Sequence, residues 1–177
     1  MSGTDWEQFR DRSQHKLVEQ GSYLVRAGEQ VRQVYFCTQG LFRFFYTLVD
    51  GKEFNKSFAQ AGEVVTSYGA MISGEPSYFS IQALEHSRVI EITYDAIQQL
   101  INHSHTWERM LRKSVEQLYL KKEERERQLL FLNAEERLEQ FRTKYPGLEL
   151  RVPQYQIASY LGISPVSLSR ISSKARN

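Results

Sequence analysis

The first half of the chain alternates short apolar segments with glycine-containing turns. Gly28, Gly40, Gly51 and Gly62 recur at near-regular spacing, and the segments between them are rich in β-branched and aromatic residues. Such spacing is typical of a β-sandwich or barrel. Asp50 followed by Gly51 favours a tight hairpin, because both turn positions accept positive φ. The pattern predicts an antiparallel β-roll over residues 20–93, with further turns at Gly69 and Gly74. The predicted strands cover residues 34–37, 41–49, 54–58, 81–83 and 89–92.

The middle of the chain follows a helical pattern. Residues 95–101 are predicted to form a short helix, and residues 106–132 a long one without Gly or Pro. Apolar residues recur on this long helix at steps of 4 and 3, and Lys122 and Arg125 occupy two positions between them. This narrow stripe predicts pairing of two copies, although packing of the helix on its own roll is an alternative. The candidate dimer residues are Leu111, Val115, Leu118, Leu129 and Leu132.

Asn133 and Glu136 form a variant of the capping box, which marks the start of a new helix. Pro146 and Gly147 end that helix near residue 145. The break before Asn133 sets the predicted domain limits. These are an effector or sensor roll at residues 1–105, a dimerisation helix at 106–132 and a helix-turn-helix domain at 133–177.

Residues 154–173 match the pattern of a helix-turn-helix. Pro153 stands in the first turn of the first helix, and Gly162 permits the left-handed turn that ends it. Ser164 is the predicted N-cap of the second helix, and Pro165 is its first residue. The apolar positions expected to face each other are Ile157, Ala158, Leu161, Leu168 and Ile171.

The outward face of these helices predicts DNA binding. The first residues of a recognition helix meet base edges in the major groove, where Arg170 can bond guanine bidentately. Backbone N–H groups at both helix starts can hold phosphates. An αα-hairpin that only packs is the alternative. The candidate DNA-binding residues are Gln154, Tyr155, Ser164, Pro165, Val166, Ser167, Arg170 and Lys174.

Charge along the 177 residues agrees with this division. Residues 1–106 hold 9 basic and 12 acidic side chains, whereas residues 107–177 hold 14 and 9. An excess of positive charge in the second part favours an anionic partner. No apolar run is long enough for a membrane helix, and the polar start is unlike a signal peptide. We therefore expect a cytoplasmic protein with no membrane partner.

The order of roll, long helix, helix break and helix-turn-helix resembles the cyclic-AMP receptor (Crp/Fnr) family of bacterial transcription regulators. The resemblance covers residues 20–175 and is most specific over 152–171, with further similarity at 24–29 and 34–40. It implies an α+β fold with a jelly-roll, cyclic-nucleotide-binding-like domain, a long dimerisation helix and a winged-helix-like helix-turn-helix domain.

The same resemblance implies a regulator rather than an enzyme. It implies a homodimer that binds double-stranded DNA at a near-palindromic site, with half-sites about 34–36 Å apart. RNA polymerase is a further partner that it suggests. Control is expected to come from an unknown effector, or the protein is constitutive.

The family's cyclic-nucleotide-binding members carry a Gly-Glu pair and, further along, an Arg-Ser or Arg-Thr pair. A gap-free alignment puts Thr66 and Ser67 at the first pair, and Ser77 and Tyr78 at the second. The acid and the cation are both missing, and a buried phosphate without a cationic partner is unfavourable. We expect no cyclic AMP binding. An iron–sulfur cluster needs several cysteines, whereas the chain has Cys37 alone, which we place in the core. No cofactor is predicted.

Aromatic side chains line the candidate effector pocket of the roll, for which core packing is the alternative. No charge is predicted there, so a neutral or apolar effector, or none, is expected. Two other functions remain open: an effector-binding interaction protein without DNA binding, and a cupin-type metal enzyme. His103, His105 and Glu108 suggest the latter, but their spacing departs from the cupin pattern, and we predict no metal. The candidate pocket residues are Phe44, Tyr46, Phe58, Tyr68, Tyr78 and Phe79.

Overall fold

The chain is described by a computed structural model over residues 3–174. The ends of the predicted domains at residues 1–2 and 175–177 lie outside the described residues. Two compact units are present. Unit 1 comprises Met1–Lys52 and Lys56–Lys113, and unit 2 comprises Glu53–Asn55 and Ser114–Asn177.

Eight strands form two four-stranded sheets. One sheet has the order β1-β8-β3-β6 and the other the order β2-β7-β4-β5. The β1–β8, β3–β8, β3–β6, β2–β7 and β4–β7 pairs are antiparallel. The predicted roll is confirmed, and each of its five predicted strands is present. The strands are β1 (Ser13–Val18), β2 (Tyr23–Val25), β3 (Gln33–Gln39), β4 (Leu41–Thr47), β5 (Glu53–Gln60), β6 (Val64–Val65), β7 (Ser80–Ala83) and β8 (Ser87–Thr93).

The roll begins earlier than residue 20, where the sequence placed its start. β1 pairs with β8 along its whole length, from Ser13 opposite Ile92 to Val18 opposite Ser87. Most β1 side chains are exposed, so the strand lacks the apolar alternation from which it could be predicted. Polar cross-strand contacts stabilise it instead. The amide of Gln14 and the ammonium of Lys16 donate to the Glu91 carboxylate at 2.7 and 3.2 Å.

These contacts also change the acidity of Glu91. Burial alone raises the pKa of this carboxyl, but the hydrogen bonds from Gln14 and Lys16 outweigh burial and leave the pKa below its ordinary value.

The main core lies between the two sheets. Phe42, Phe44 and Ile81 from one sheet and Val65 and Val89 from the other belong to a single buried cluster. Cys37 is buried in the same cluster, as predicted. Burial of large apolar side chains at this density is the main stabilising term of such a sandwich.

A second cluster covers the outer face of the β1-β8-β3 sheet. It joins α1 (Gly3–Asp11), α3 (Tyr94–His103) and the start of α4 (His105–Phe131). The Phe9 ring stacks on Trp107 at a centroid distance of 5.2 Å. α3 and α4 match the predicted helices, whereas α1 was not predicted.

The segment between β6 and β7 contains a short helix, α2 (Tyr68–Ser73), where the sequence predicted two turns. Gly69 lies inside this helix, so the turn predicted there is wrong. Gly74 ends the helix in the left-handed conformation, as a turn glycine does.

Unit 2 is built from helices. After α4 come α5 (Ala134–Lys144), a 3-10 turn (Leu148–Leu150), α6 (Gln154–Leu161) and α7 (Pro165–Lys174). The predicted capping box is confirmed, because Asn133 accepts from the Glu136 N–H at 3.0 Å and Glu136 accepts from the Asn133 N–H at 2.8 Å. Residues 114–174 contain no strand, so the likeness to a winged helix rests on the helices. Pro153 lies at the N-cap of α6, one position before the first turn.

None of the helices in residues 3–174 combines the length and apolarity that a membrane crossing needs.

The glycine turns of the roll provide a stability test. Gly40 has φ of 110°, and a Cβ there would lie 2.8 Å from the Ser87 Cα and collide with its side chain. Gly51 has φ of 82° with open space around it. We expect Gly51→Ala to lower the free energy of unfolding by about 1 kcal/mol, and Gly40→Ala by about 3 kcal/mol because a clash adds to the strain.

Urea unfolding measures this difference. Both tryptophans, Trp6 and Trp107, lie in unit 1, so their fluorescence reports the unfolding of that unit. Equal losses in the two variants would contradict the close approach at Gly40.

Candidate nucleic-acid interface and effector pocket

α6 and α7 are joined by a left-handed glycine turn. Gly162 has φ of 70° and ψ of 33°, and its N–H donates to the carbonyls at the end of α6. The N–H of Ile163 donates to the Ala158 carbonyl at 3.0 Å. Ala158 and Leu168 are fully buried, so the two helices approach closely. The predicted helix-turn-helix is present, and we call residues 154–174 the α6–α7 module.

The start of α7 is capped by a serine. The Ser164 hydroxyl accepts from the Ser167 N–H at 3.1 Å, and the two hydroxyl oxygens lie 2.9 Å apart. This cap supplies a partner for one of the free N–H groups of the first turn. The Ser164 side chain therefore already has a structural role at the helix start.

The outward face of the α6–α7 module carries most of the predicted DNA-binding side chains. Tyr155 and Val166 are 57% and 61% exposed. Gln154, Pro165 and Arg170 are exposed as well, whereas Ser167 is half-buried. The face thus offers donors, one guanidinium and one branched apolar group beside a helix N-terminus. This combination suits base edges and phosphates.

Lys174 has a partner within unit 2. Its ammonium lies 3.0 Å from a carboxylate oxygen of Glu135 on α5. Both side chains are exposed, and such pairs contribute little to stability. A DNA phosphate at Lys174 must compete with this carboxylate.

Two arginines that the sequence did not predict as site residues lie at the other end of α6. The guanidinium of Arg125 donates to the Tyr160 carbonyl, and Arg137 Nε donates to the Leu161 carbonyl at 3.0 Å. In the sequence, Arg125 stands out as a cation at a position of the apolar stripe on the long helix. We interpreted that stripe as a dimer contact, so a contact of Arg125 within its own chain was not predicted.

The predicted dimer residues differ in exposure along α4. Leu118 and Leu129 are 37% and 48% exposed. Leu111, Val115 and Leu132 are half-buried within the chain. Leu129 also lies near the turn of the α6–α7 module, since its Cδ2 is 4.0 Å from the place of a Cβ at Gly162.

The candidate effector pocket brings three of its six predicted side chains together. The Phe79 ring lies 6.0 Å from that of Phe44 and 5.8 Å from that of Tyr46, centroid to centroid. Phe58 is buried and Tyr68 is half-buried, but Tyr78 is 80% exposed. Tyr78 therefore does not belong to the interior of the roll.

The sequence predicted no charge near these rings, and this is wrong. The Lys56 ammonium lies 3.9 Å from the centroid of the Phe79 ring and 5.8 Å from that of Tyr46. An ammonium over an aromatic face is attracted by the ring quadrupole. A cation therefore lies against this set of aromatic rings.

Two of the residues aligned with the nucleotide-binding pairs, Ser67 and Ser77, contact each other, and neither carries a charge. The hydroxyls of Ser67 and Ser77 lie 2.9 Å apart, and Ser77 also donates to the Phe79 carbonyl at 2.8 Å. Both serines are buried. Neither offers a charge to a phosphate, and their hydroxyls already have partners.

The histidines considered for a metal site lie at the surface. His103 Nδ1 is 2.6 Å from the Gln99 carbonyl, and His105 Nδ1 is 3.1 Å from Glu108. Within residues 3–174, no group of three or more His, Cys, Asp or Glu side chains is arranged to hold a metal ion.

Comparison with known proteins gives matches along the chain. The cyclic nucleotide-binding domain family matches residues 15–104. The fumarate and nitrate reduction regulatory protein of Vibrio cholerae is 27% identical over 171 residues, which is 88% of this chain and 66% of that protein. The chain thus spans just under two thirds of the length of this curated relative.

Two solved structures share the fold. FixK2 of Bradyrhizobium japonicum superposes with a TM-score of 0.80 at 18% identity, over 93% of this chain and 84% of that one. CLP of Xanthomonas campestris, a c-di-GMP-responsive global regulator, superposes with a TM-score of 0.78 at 19% identity, over 99% and 92%.

The serine pair leads to a ligand prediction. We expect cyclic AMP and cyclic GMP to cause no saturable rise in the melting temperature, because Ser67 and Ser77 offer no charge to a phosphate at the aligned positions. A ligand at one hundred times its dissociation constant would add about 2.7 kcal/mol of stability. Inorganic phosphate at equal ionic strength controls for general salt effects. A saturable shift at micromolar nucleotide would refute the prediction.

Proposed function

Because the chain belongs to the cyclic nucleotide-binding domain family and is homologous to Crp/Fnr transcriptional regulators, we propose that it is a sequence-specific DNA-binding transcription regulator that acts as a homodimer. The observation that carries this proposal is the α6–α7 module. Its inner positions Ala158 and Leu168 are buried, while its outer positions Val166 and Arg170 are exposed on α7.

Recognition of DNA follows from the chemistry of that face. The α7 N-terminus enters the major groove, where Arg170 donates to guanine O6 and N7 and Val166 contacts a thymine methyl group. The positive excess of residues 107–177 contributes a salt-sensitive attraction to phosphates. Gln154 and Tyr155, at the start of α6, contact the sugar-phosphate backbone of the DNA.

The homodimer forms through α4. Leu118 is exposed on this long helix, although a leucine gains free energy when it is buried. Leu111 and Val115 continue the same stripe. Two paired copies present two recognition helices to a near-palindromic site whose half-sites lie about 34–36 Å apart.

Control comes from an effector other than a cyclic nucleotide, or the protein is constitutive. The buried Ser67–Ser77 contact supports the exclusion of a cyclic phosphate. The rings of Phe44, Tyr46 and Phe79 are the candidate place for an effector. The Lys56 ammonium lies against the Phe79 ring, so a ligand at this place must accommodate a positive charge beside it.

The remaining expectations follow from the same proposal. The protein acts on DNA in the cytoplasm, without catalysis, and RNA polymerase is a candidate partner. The regulators among its relatives support this role. An effector-binding protein without DNA binding is the alternative.

Selection of genomic DNA fragments by the purified protein, followed by affinity measurement, tests the function. Arg170→Ala is expected to weaken binding to a selected fragment about ten- to a hundredfold, because a bidentate guanine contact is lost. Binding to random DNA should change little. Arg10→Ala, at an exposed arginine of unit 1 that lies outside residues 107–177, is the charge-matched control and should retain full affinity.

Two results would count against the proposal. Absence of any salt-sensitive DNA binding by the parent protein would favour the interaction protein instead. Equal affinities of the Arg170 and Arg10 variants would remove Arg170 from base reading.

A further inference from the structure

Two guanidinium groups from outside the α6–α7 module converge on the C-terminal end of α6. Arg125 comes from α4 and donates to the Tyr160 carbonyl, and Arg137 comes from α5 and donates to the Leu161 carbonyl. The last carbonyls of a helix have no partner within it and carry the negative end of its dipole. Charge-assisted hydrogen bonds to them are stronger than neutral ones.

Arg125 makes this contact in a partly enclosed place. Its guanidinium carbon lies 4.0 Å from the centroid of the Tyr160 ring. Its Nη1 is buried and has no hydrogen-bond partner among residues 3–174. Burial lowers the pKa of this guanidinium below its ordinary value, and the nearby cation of Arg137 acts in the same direction. Arg125 is therefore unlike a solvated surface arginine.

Arg137 connects the same helix end to the break after α4. Its Nη1 donates to the Leu132 carbonyl at 2.7 Å, while its Nε donates to Leu161 at 3.0 Å. Leu129 adds an apolar contact beside the turn at Gly162. The C-terminal half of α4 and the start of α5 thus hold the α6–α7 module by its backbone, immediately before the turn into α7.

These contacts have a consequence if α4 is the dimer helix, as the proposed function requires. We propose that Arg125 is a positioning residue for DNA recognition. It fixes the orientation of the α6–α7 module relative to α4, so that both recognition helices of a dimer match the spacing of two half-sites.

Contacts that do not involve Arg125 also hold α6 in place. Buried aromatic rings hold α5 and α6 together: the Phe141 and Tyr145 centroids lie 5.4 Å apart, and each ring contacts Tyr160. Leu168 of α7 is buried as well. Removal of Arg125 is therefore expected to change orientation more than folding.

The test compares Arg125→Gln with Arg127→Gln. Arg127 is an exposed arginine of the same helix whose ion pair is with Glu124, at 3.1 Å. Affinities are measured by fluorescence anisotropy on three kinds of duplex. These are the operator selected by the parent protein, one isolated half-site, and operators whose half-site spacing is changed by one or two base pairs.

Arg125→Gln loses the charge-assisted hydrogen bond to the Tyr160 carbonyl, so the orientation of the α6–α7 module is no longer fixed. We therefore expect this variant to bind the full operator at least about tenfold more weakly than the parent. Its affinity for one half-site should stay within about twofold, and its preference among spacings should flatten. Arg127→Gln should match the parent on every duplex. Arg125→Lys keeps one donor and should recover part of the affinity.

Melting curves and the mass in solution accompany these measurements. Should Arg125→Gln fail to fold, Arg125→Lys and Arg137→Gln carry the same comparison. Equal losses on the operator and the half-site, or no loss on either, would overturn the inference while leaving the proposed function intact. If the parent protein binds no DNA, both the inference and the proposed function are wrong.

Discussion

The α6–α7 module, the proposed DNA-binding part of this chain, depends on how the carbonyls at the C-terminal end of α6 are hydrogen-bonded. Gly162 adopts the left-handed conformation, and its N–H and that of Ile163 close the helix from within. Arg125 and Arg137 complete the end from two other helices. All of these contacts use main-chain carbonyls, so they place no demand on the side chains of the outward face. The proposed base-contacting residues Val166 and Arg170 could therefore vary to suit a DNA sequence without weakening these contacts.

The roll keeps the architecture of its family while its interior chemistry differs. One buried core joins the two sheets. Where nucleotide-binding relatives need an acid and a cation, Ser67 and Ser77 bond to each other. Lys56 lies instead against the ring of Phe79. A fold alone does not determine its ligand, and here the neutral contact of Ser67 with Ser77 is the observation against a cyclic phosphate.

Local signals carried most of what could be predicted from the sequence. The capping box at Asn133, the long α4 and the turn at Gly162 each depend on residues a few positions apart, and all three are present. β1 was missed because its side chains are mostly polar and its partner β8 lies far along the chain. The stripe on α4 groups Arg125 with the dimer positions, yet a stripe cannot tell whether it faces another copy or its own chain. The ion pair of Lys174 with Glu135 was also missed, because the two residues lie 39 positions apart in the sequence.

In the proposed function, two copies of this chain contact one operator through two recognition helices. The most direct test is the mass of the protein–DNA complex, with a hydroxyl-radical footprint on the same selected duplex. We expect two chains per duplex and two protected patches one helical turn apart, at about 34–36 Å. One chain per duplex with a single protected patch would contradict it.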